Sequence, residues 1–179
     1  MRSIACAVLA AAALAGCSSA PETAEKPYRT VAAASAEEKK ALWDPLAALA
    51  GEWTMTTQKG ETVLGLRVEV TSGGTAIREA IFPDSEGEMV NLYTMDGASV
   101  LMTHYCHVGN QPRMRATKTE GGTWAFDAAG CGNLTSADGG FMGSMTLKIR
   151  DADHIEQAWF WHEGGKVAPG PVLVLTRKK

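Results

Sequence analysis

The chain has 179 residues, a formal net charge of −3, 45% hydrophobic residues and 21% charged residues. Nothing in that balance suggests a nucleic-acid binder, which carries a basic face. The length supplies one good hydrophobic core, and nothing in the composition divides it into two.

At the start of the chain, Arg2 precedes an apolar run from Ile4 to Leu14, and small residues lead to Leu14-Ala15-Gly16-Cys17. This arrangement resembles the lipobox of bacterial lipoproteins. The resemblance implies cleavage before Cys17, a thioether-linked diacylglyceryl group on its sulfur and an acylated amine, an anchor stable enough to hold a protein at a membrane. An ordinary secretion signal or a membrane helix is the alternative, but the apolar run falls short of the roughly 20 residues a span needs. Ser18 stands where the inner-membrane retention signal of such lipoproteins places Asp, which implies the periplasmic face of the outer membrane. Residues 18 to 34 are small, polar and punctuated by proline, as in a flexible tether. The expected division is therefore a signal segment at 1–16, a lipidated Cys17 with its tether at 17–34, and a domain at 35–179.

Ser35-Ala36-Glu37-Glu38 forms a capping box that starts one helix over about 35 to 50, with Leu42, Leu46 and Leu49 on one face, Pro45 inside and Gly51 at its end. From Glu52 onward the hydrophobic period changes to two. Leu64, Leu66, Val68 and Val70 alternate with smaller or charged residues, as do Met145, Leu147 and Ile149. Gly-Gly pairs at 73–74, 121–122, 139–140 and 164–165 read as turns. The pattern predicts an all-β domain, an antiparallel up-and-down barrel of about ten strands behind one short helix.

Leu49-Ala50-Gly51-Glu52-Trp53, where the helix gives way to the first strand, is similar to the Gly-x-Trp motif of lipocalin and calycin barrels. The resemblance implies that Trp53 plugs one barrel end and that Arg177 lies over its ring. The lipocalin Thr-Asp-Tyr motif and the closing Arg-x-Tyr pair of fatty-acid-binding proteins are both missing, so neither family's ligand carries over. His104-Tyr105-Cys106 with Asn110-Gln111-Pro112-Arg113-Met114 also resembles a string in uncharacterised bacterial lipocalin-like proteins.

Cys6 leaves with the signal segment and Cys17 takes lipid, so Cys106 and Cys131 remain, and a disulfide is the expected pairing in an oxidising compartment. A soft-metal site at Cys106 between His104 and His107 is the other reading. Asp96-Gly97 predicts a two-residue hairpin turn that pairs Tyr93 with Val100 and Met89 with His104. Gly109-Asn110 predicts a second, which sets Cys106 opposite Arg113 and His104 opposite Arg115. Tyr93, His104, Arg113 and Arg115 would then share a face and line an amphiphile-binding cavity, the arginines holding a carboxylate or phosphate head group. The opposite face, with Val90, Leu92, Leu101, Tyr105, Met114 and Ala116, competes as the core and would leave both arginines in water.

No nucleophile elbow, zinc-protease helix, phosphate loop or dinucleotide fingerprint is present, so no reaction, metal or cofactor is assigned. Asp151 and Asp153 beside His154 read as a turn. The leading expectation is a membrane-anchored barrel that carries a small hydrophobic or amphiphilic ligand. One alternative is a filled barrel that binds an envelope protein partner. The other is a haem-binding barrel with an axial ligand from His104, His107, His154 or His162.

Overall fold

A computed structural model describes residues 29–117 and 119–179. The signal segment and Cys17 lie outside the described residues. Residues 31–34, expected as tether, run without helix or strand beside Trp43, Met95 and Gly97.

The capping box forms as its chemistry dictates. The Glu38 amide donates to Ser35 Oγ at 3.1 Å, and the Ser35 amide donates to Glu38 Oε2 at 2.7 Å. Pro45 has no amide hydrogen, so the expected single helix is divided into α1 (Ala36–Leu42) and α2 (Asp44–Ala47), with the proline in the first turn of α2, where a missing donor costs nothing.

Eleven strands follow: β1 (Gly51–Thr56), β2 (Thr62–Thr71), β3 (Ala76–Ile81), β4 (Met89–Met95), β5 (Val100–Tyr105), β6 (Gln111–Ala116), β7 (Thr119–Glu120), β8 (Thr123–Gly132), β9 (Phe141–Ile149), β10 (His154–Glu163) and β11 (Lys166–Arg177). Successive strands pair antiparallel, β1 pairs with β11, and β6 reaches past the two-residue β7 to pair with β8. The result is a closed ten-strand up-and-down barrel with β7 as a spur on β8. Closure leaves none of the ten barrel strands at an open edge. All four Gly-Gly pairs fall at strand connections. Gly164 and Gly165 turn β10 into β11 with φ of 54° and 72°, the left-handed pair that a two-residue hairpin requires.

Period two sends one face of each strand inward, where Leu66, Met102, Met114, Phe126, Met145 and Leu147 are buried. They fill the lumen almost completely, so this is a packed barrel and not a hollow cup.

The helices close one end. Leu42, Leu46 and Leu49 join the same core, and the indole N–H groups of Trp124 and Trp53 donate to the Leu42 and Leu49 carbonyls at 3.3 and 2.9 Å. Trp53 is fully buried under Arg177, whose guanidinium lies 4.3 Å from the ring centroid. The same guanidinium donates to the carbonyls of Ala48 and Ala50, acceptors left open past the end of α2, and of Ala152 in the β9–β10 turn, at 2.8 to 3.0 Å. Gly51 has φ of 133°, and a Cβ there would stand 3.0 Å from Arg177 Nη1, so the plug needs glycine at that position.

Candidate functional site

On β3, Ile77, Glu79 and Ile81 share the inward face, which places a carboxyl group in the apolar interior. The register sets Glu79 opposite Asn91 and Asn91 opposite His104, one row across three neighbouring strands. Asn91 Nδ2 donates to Glu79 Oε1 at 2.6 Å, and Tyr93 OH donates to the same oxygen at 3.2 Å. Gln157, from β10 across the lumen, donates from Nε2 to Glu79 Oε2 at 2.9 Å. Trp159 Nε1 donates in turn to Gln157 Oε1 at 3.3 Å. At the far end of the row, His104 Nδ1 lies 2.7 Å from Asn91 Oδ1, and its ring sits 4.9 Å from that of Trp159.

Desolvation governs the protonation of this belt. Burial pushes the Glu79 carboxyl above its ordinary value, against the pull of the donors from Gln157, Asn91 and Tyr93. Burial also raises the Tyr93 phenol, with the Glu79 charge adding to it, and lowers His104 to about 4, so its imidazole is neutral at pH 7.

One atom of the belt is left over. His104 Nε2 is buried without a hydrogen-bond partner, which costs about 1–3 kcal/mol unless something satisfies it. Other atoms of His104 line an apolar cavity of about 60 Å³ together with Ile81, Phe82, Met89, Met142, Trp159 and Leu173, while Nε2 itself is closed off from it. Phe82 and Met89 flank the β3–β4 connection, at the opposite end from the helices, and no helix covers this mouth among the described residues. Phe82 holds φ of 51°, an outlier for a bulky residue, and Asp84 holds 62°. The strained turn is fastened by Ser85 Oγ donating to the Phe82 carbonyl at 2.7 Å and by Arg67 Nη2 donating to Asp84 Oδ2 at 2.8 Å.

The predicted site is therefore only half assembled. Tyr93 and His104 face the lumen together. The β4–β5 turn is four residues long, with the Asp96 amide bonded to the Ser99 carbonyl. Tyr93 thus pairs with Met102, and His104 moves from Met89 to Asn91 without changing face. The β5–β6 loop has three residues between Cys106 and Asn110 instead of two, and this odd shift turns β6 over. Met114 and Ala116 point inward, whereas Arg113 is exposed and Arg115 lies outside the lumen, bonded to Ser99 Oγ and, at 2.6 Å, to Asp96 Oδ2. Neither arginine can hold a head group in the barrel. The expected disulfide is also corrected: Cys106 and Cys131 are free thiols. They are neighbours nonetheless, since Cys106 adds to the rise that burial imposes on Cys131.

The remaining histidines are occupied or exposed. His162 Nε2 is 2.9 Å from Ser144 Oγ, His154 Nδ1 is 2.8 Å from Asp151 Oδ1, and His107 is on the exposed loop. Asp151 Oδ1 also accepts the Asp153 amide at 2.8 Å, as a turn aspartate does. Among the described residues no three His, Cys, Asp or Glu side chains gather to hold a metal ion. Glu79, Asn91, Gln157 and Trp159 were missed by motif reading. The signal for Glu79 was its place between Ile77 and Ile81 on an apolar strand face.

Fold and site together define a closed antiparallel barrel with one plugged end and a small apolar pocket near the other, an architecture consistent with a lipocalin-like barrel. Compared with family models and with curated proteins, the sequence matches none.

Proposed function

We propose that the protein is an envelope lipoprotein, anchored through Cys17 at the periplasmic face of the outer membrane, whose barrel takes a small hydrophobic or amphiphilic ligand at the mouth opposite the plug. The observation that carries this reading is the apolar cavity of about 60 Å³ at that mouth, with His104 and Trp159 among its lining residues. Apolar pockets with a few placed polar groups are the usual form of a small-molecule site. The cavity is too small for a whole lipid: engineered cavities of about 150 Å³ hold benzene, so about 60 Å³ takes one end of a ligand, the rest leaving through the mouth. Haem does not fit. His104 offers an axial nitrogen, but the space beside it is far below that of a porphyrin.

Native mass spectrometry of the protein extracted from its membrane is the test. A co-purifying apolar mass, absent from a Leu173→Phe variant that fills the pocket, is the expected result, and an empty wild-type protein that takes up no amphiphile would overturn it. Cys17→Ser should release the protein from the membrane fraction, and retention would overturn the anchor.

A second reading has its own observation. Val172 and Val174 on the outer face of β11 are 54% and 60% exposed, as in a filled barrel that docks a protein partner.

A further inference from the structure

The inward face of the mouth carries sulfur. Asn91 pairs with His104 and Val90 with Tyr105, so the next step of that register sets Met89 opposite Cys106, both on the inward side one row above His104. Both residues line the apolar cavity of about 60 Å³, and Met142 of β9 lines it from across the lumen. A thiol and two thioethers thus belong to one small space. Cross-strand partners have Cβ atoms about 4.5–5.5 Å apart, and one ion at the roughly 2.3 Å of a metal–thiolate bond spans such a gap between two sulfurs. No carboxylate, hydroxyl or carboxamide side chain lines the cavity. His104 gives it no nitrogen either, since Nδ1 faces Asn91 and Nε2 is closed off. The side-chain donors are soft throughout.

We propose that the mouth holds a soft monovalent cation, Cu(I) or Ag(I), on the Cys106 thiolate and the Met89 and Met142 thioethers. Thiolate and thioether ligands select such ions, whereas zinc takes four nitrogen, sulfur or oxygen ligands and calcium or magnesium a shell of oxygens. Charge decides among the soft ions. Binding sends the Cys106 Sγ proton to solvent and forms a sulfur–metal bond, so one thiolate neutralises one monovalent ion, and the pair enters apolar surroundings without net charge. A divalent ion keeps a positive charge there that no carboxylate of the lining answers. Size agrees as well. One water needs roughly 10–15 Å³, so the cavity of about 60 Å³ has room for an ion that has exchanged its water for sulfur. Cys106 is half-buried at the start of the β5–β6 loop, within reach of an ion arriving from solvent. This site goes beyond the ligand reading above and does not depend on it, because so small a space takes the ion or the end of an amphiphile and not both.

The test titrates Ag(I) into the full-length chain carrying Cys6→Ser, Cys17→Ser and Cys131→Ser, which leaves Cys106 as the one thiol. One ion per chain in native mass spectra, one proton released per ion, and three sulfurs around silver by X-ray absorption are the expected results. Met89→Leu and Met142→Leu keep the side-chain volume. Each should weaken binding by about tenfold, the low end of what altering a metal's surroundings costs, and Cys106→Ser should abolish it. A thiol acting alone behaves differently: its affinity survives both methionine changes, and that result overturns the proposal. So does nitrogen or oxygen bound to the silver, or Zn(II) held more tightly than Ag(I). Restoring Cys131 should leave the affinity as it was, because Cys131 does not line the cavity. A much tighter site on its return would put the ion between the two thiols and overturn the assignment. Should a methionine variant not fold, the sulfur count in the parent decides, and fewer than three overturns the site.

Discussion

The two ends of this barrel solve opposite problems. At the plugged end the buried polar groups among the described residues have partners: Trp124 donates to the Leu42 carbonyl of α1, Trp53 to the Leu49 carbonyl just past α2, and Arg177 serves three more carbonyls while covering the Trp53 ring. At the mouth the backbone is strained at Phe82, a void remains, and His104 Nε2 is unsatisfied. The difference teaches where stability and function separate. Partnered polar groups hold the plug together, and the unsatisfied atom and strained turn mark the mouth as the end held less tightly.

The comparison breaks most severely if the plug proves dispensable. Trp53→Ala should cost about 4 kcal/mol, read as a lower urea midpoint, because truncating a fully buried tryptophan loses both its burial and the packing around it. A loss below about 1 kcal/mol would mean that the helix end is not the stable one.

The mouth should respond to acid. The unfolded state binds a proton at His104 near pH 6.5 and the folded state only near pH 4, so the unfolded chain holds the extra proton between those values. Stability attributable to His104 therefore falls as pH drops from about 6.5 to about 4, by about 3 kcal/mol in all, and is flat below. Glu79 slopes the other way, since a raised carboxyl pKa makes folding less favourable as pH climbs above 4.5. Subtracting a His104→Gln profile from the wild-type profile isolates the histidine, and a flat difference would show that its ring is not desolvated.

Arg177→Lys sharpens the account of the plug at smaller cost. A lysine keeps the charge over Trp53 but cannot serve three carbonyls from one planar fork, so a loss of about 1.5 kcal/mol is expected. Recovery to the wild-type midpoint would assign the arginine's role to charge alone.

The smallest effect concerns the thiols. Cys106→Ser should leave stability within about 0.5 kcal/mol, and iodoacetamide should label both Cys106 and Cys131, whereas a cross-link between them would make the change cost about 3 kcal/mol.

Much of this was legible before any coordinates. Period-two alternation and the Gly-Gly turns are local signals, and they place the strands. Gly51, Trp53 and Arg177 pointed to the plugged end because a tight turn and a bulky ring constrain their neighbours strongly. The mouth was harder for a physical reason. Side-chain direction in a strand depends on the parity of the preceding loop, and one residue among His107, Val108 and Gly109 decided whether Arg113 entered the lumen. The belt was harder still, since Gln157 meets Glu79 across 78 residues of sequence that no local pattern connects.

The seam between the first and last strands has a consequence for how the molecule assembles. Trp53 pairs with Arg177 across nearly the whole domain, so the ring of Trp53 gains its cover only after every intervening hairpin has taken its place. Closing so distant a pair comes late and slowly, because the entropy of the long loop is lost before its contacts form. A truncated or misregistered chain therefore leaves the Trp53 indole without its arginine cover, so the plug registers whether the barrel has closed.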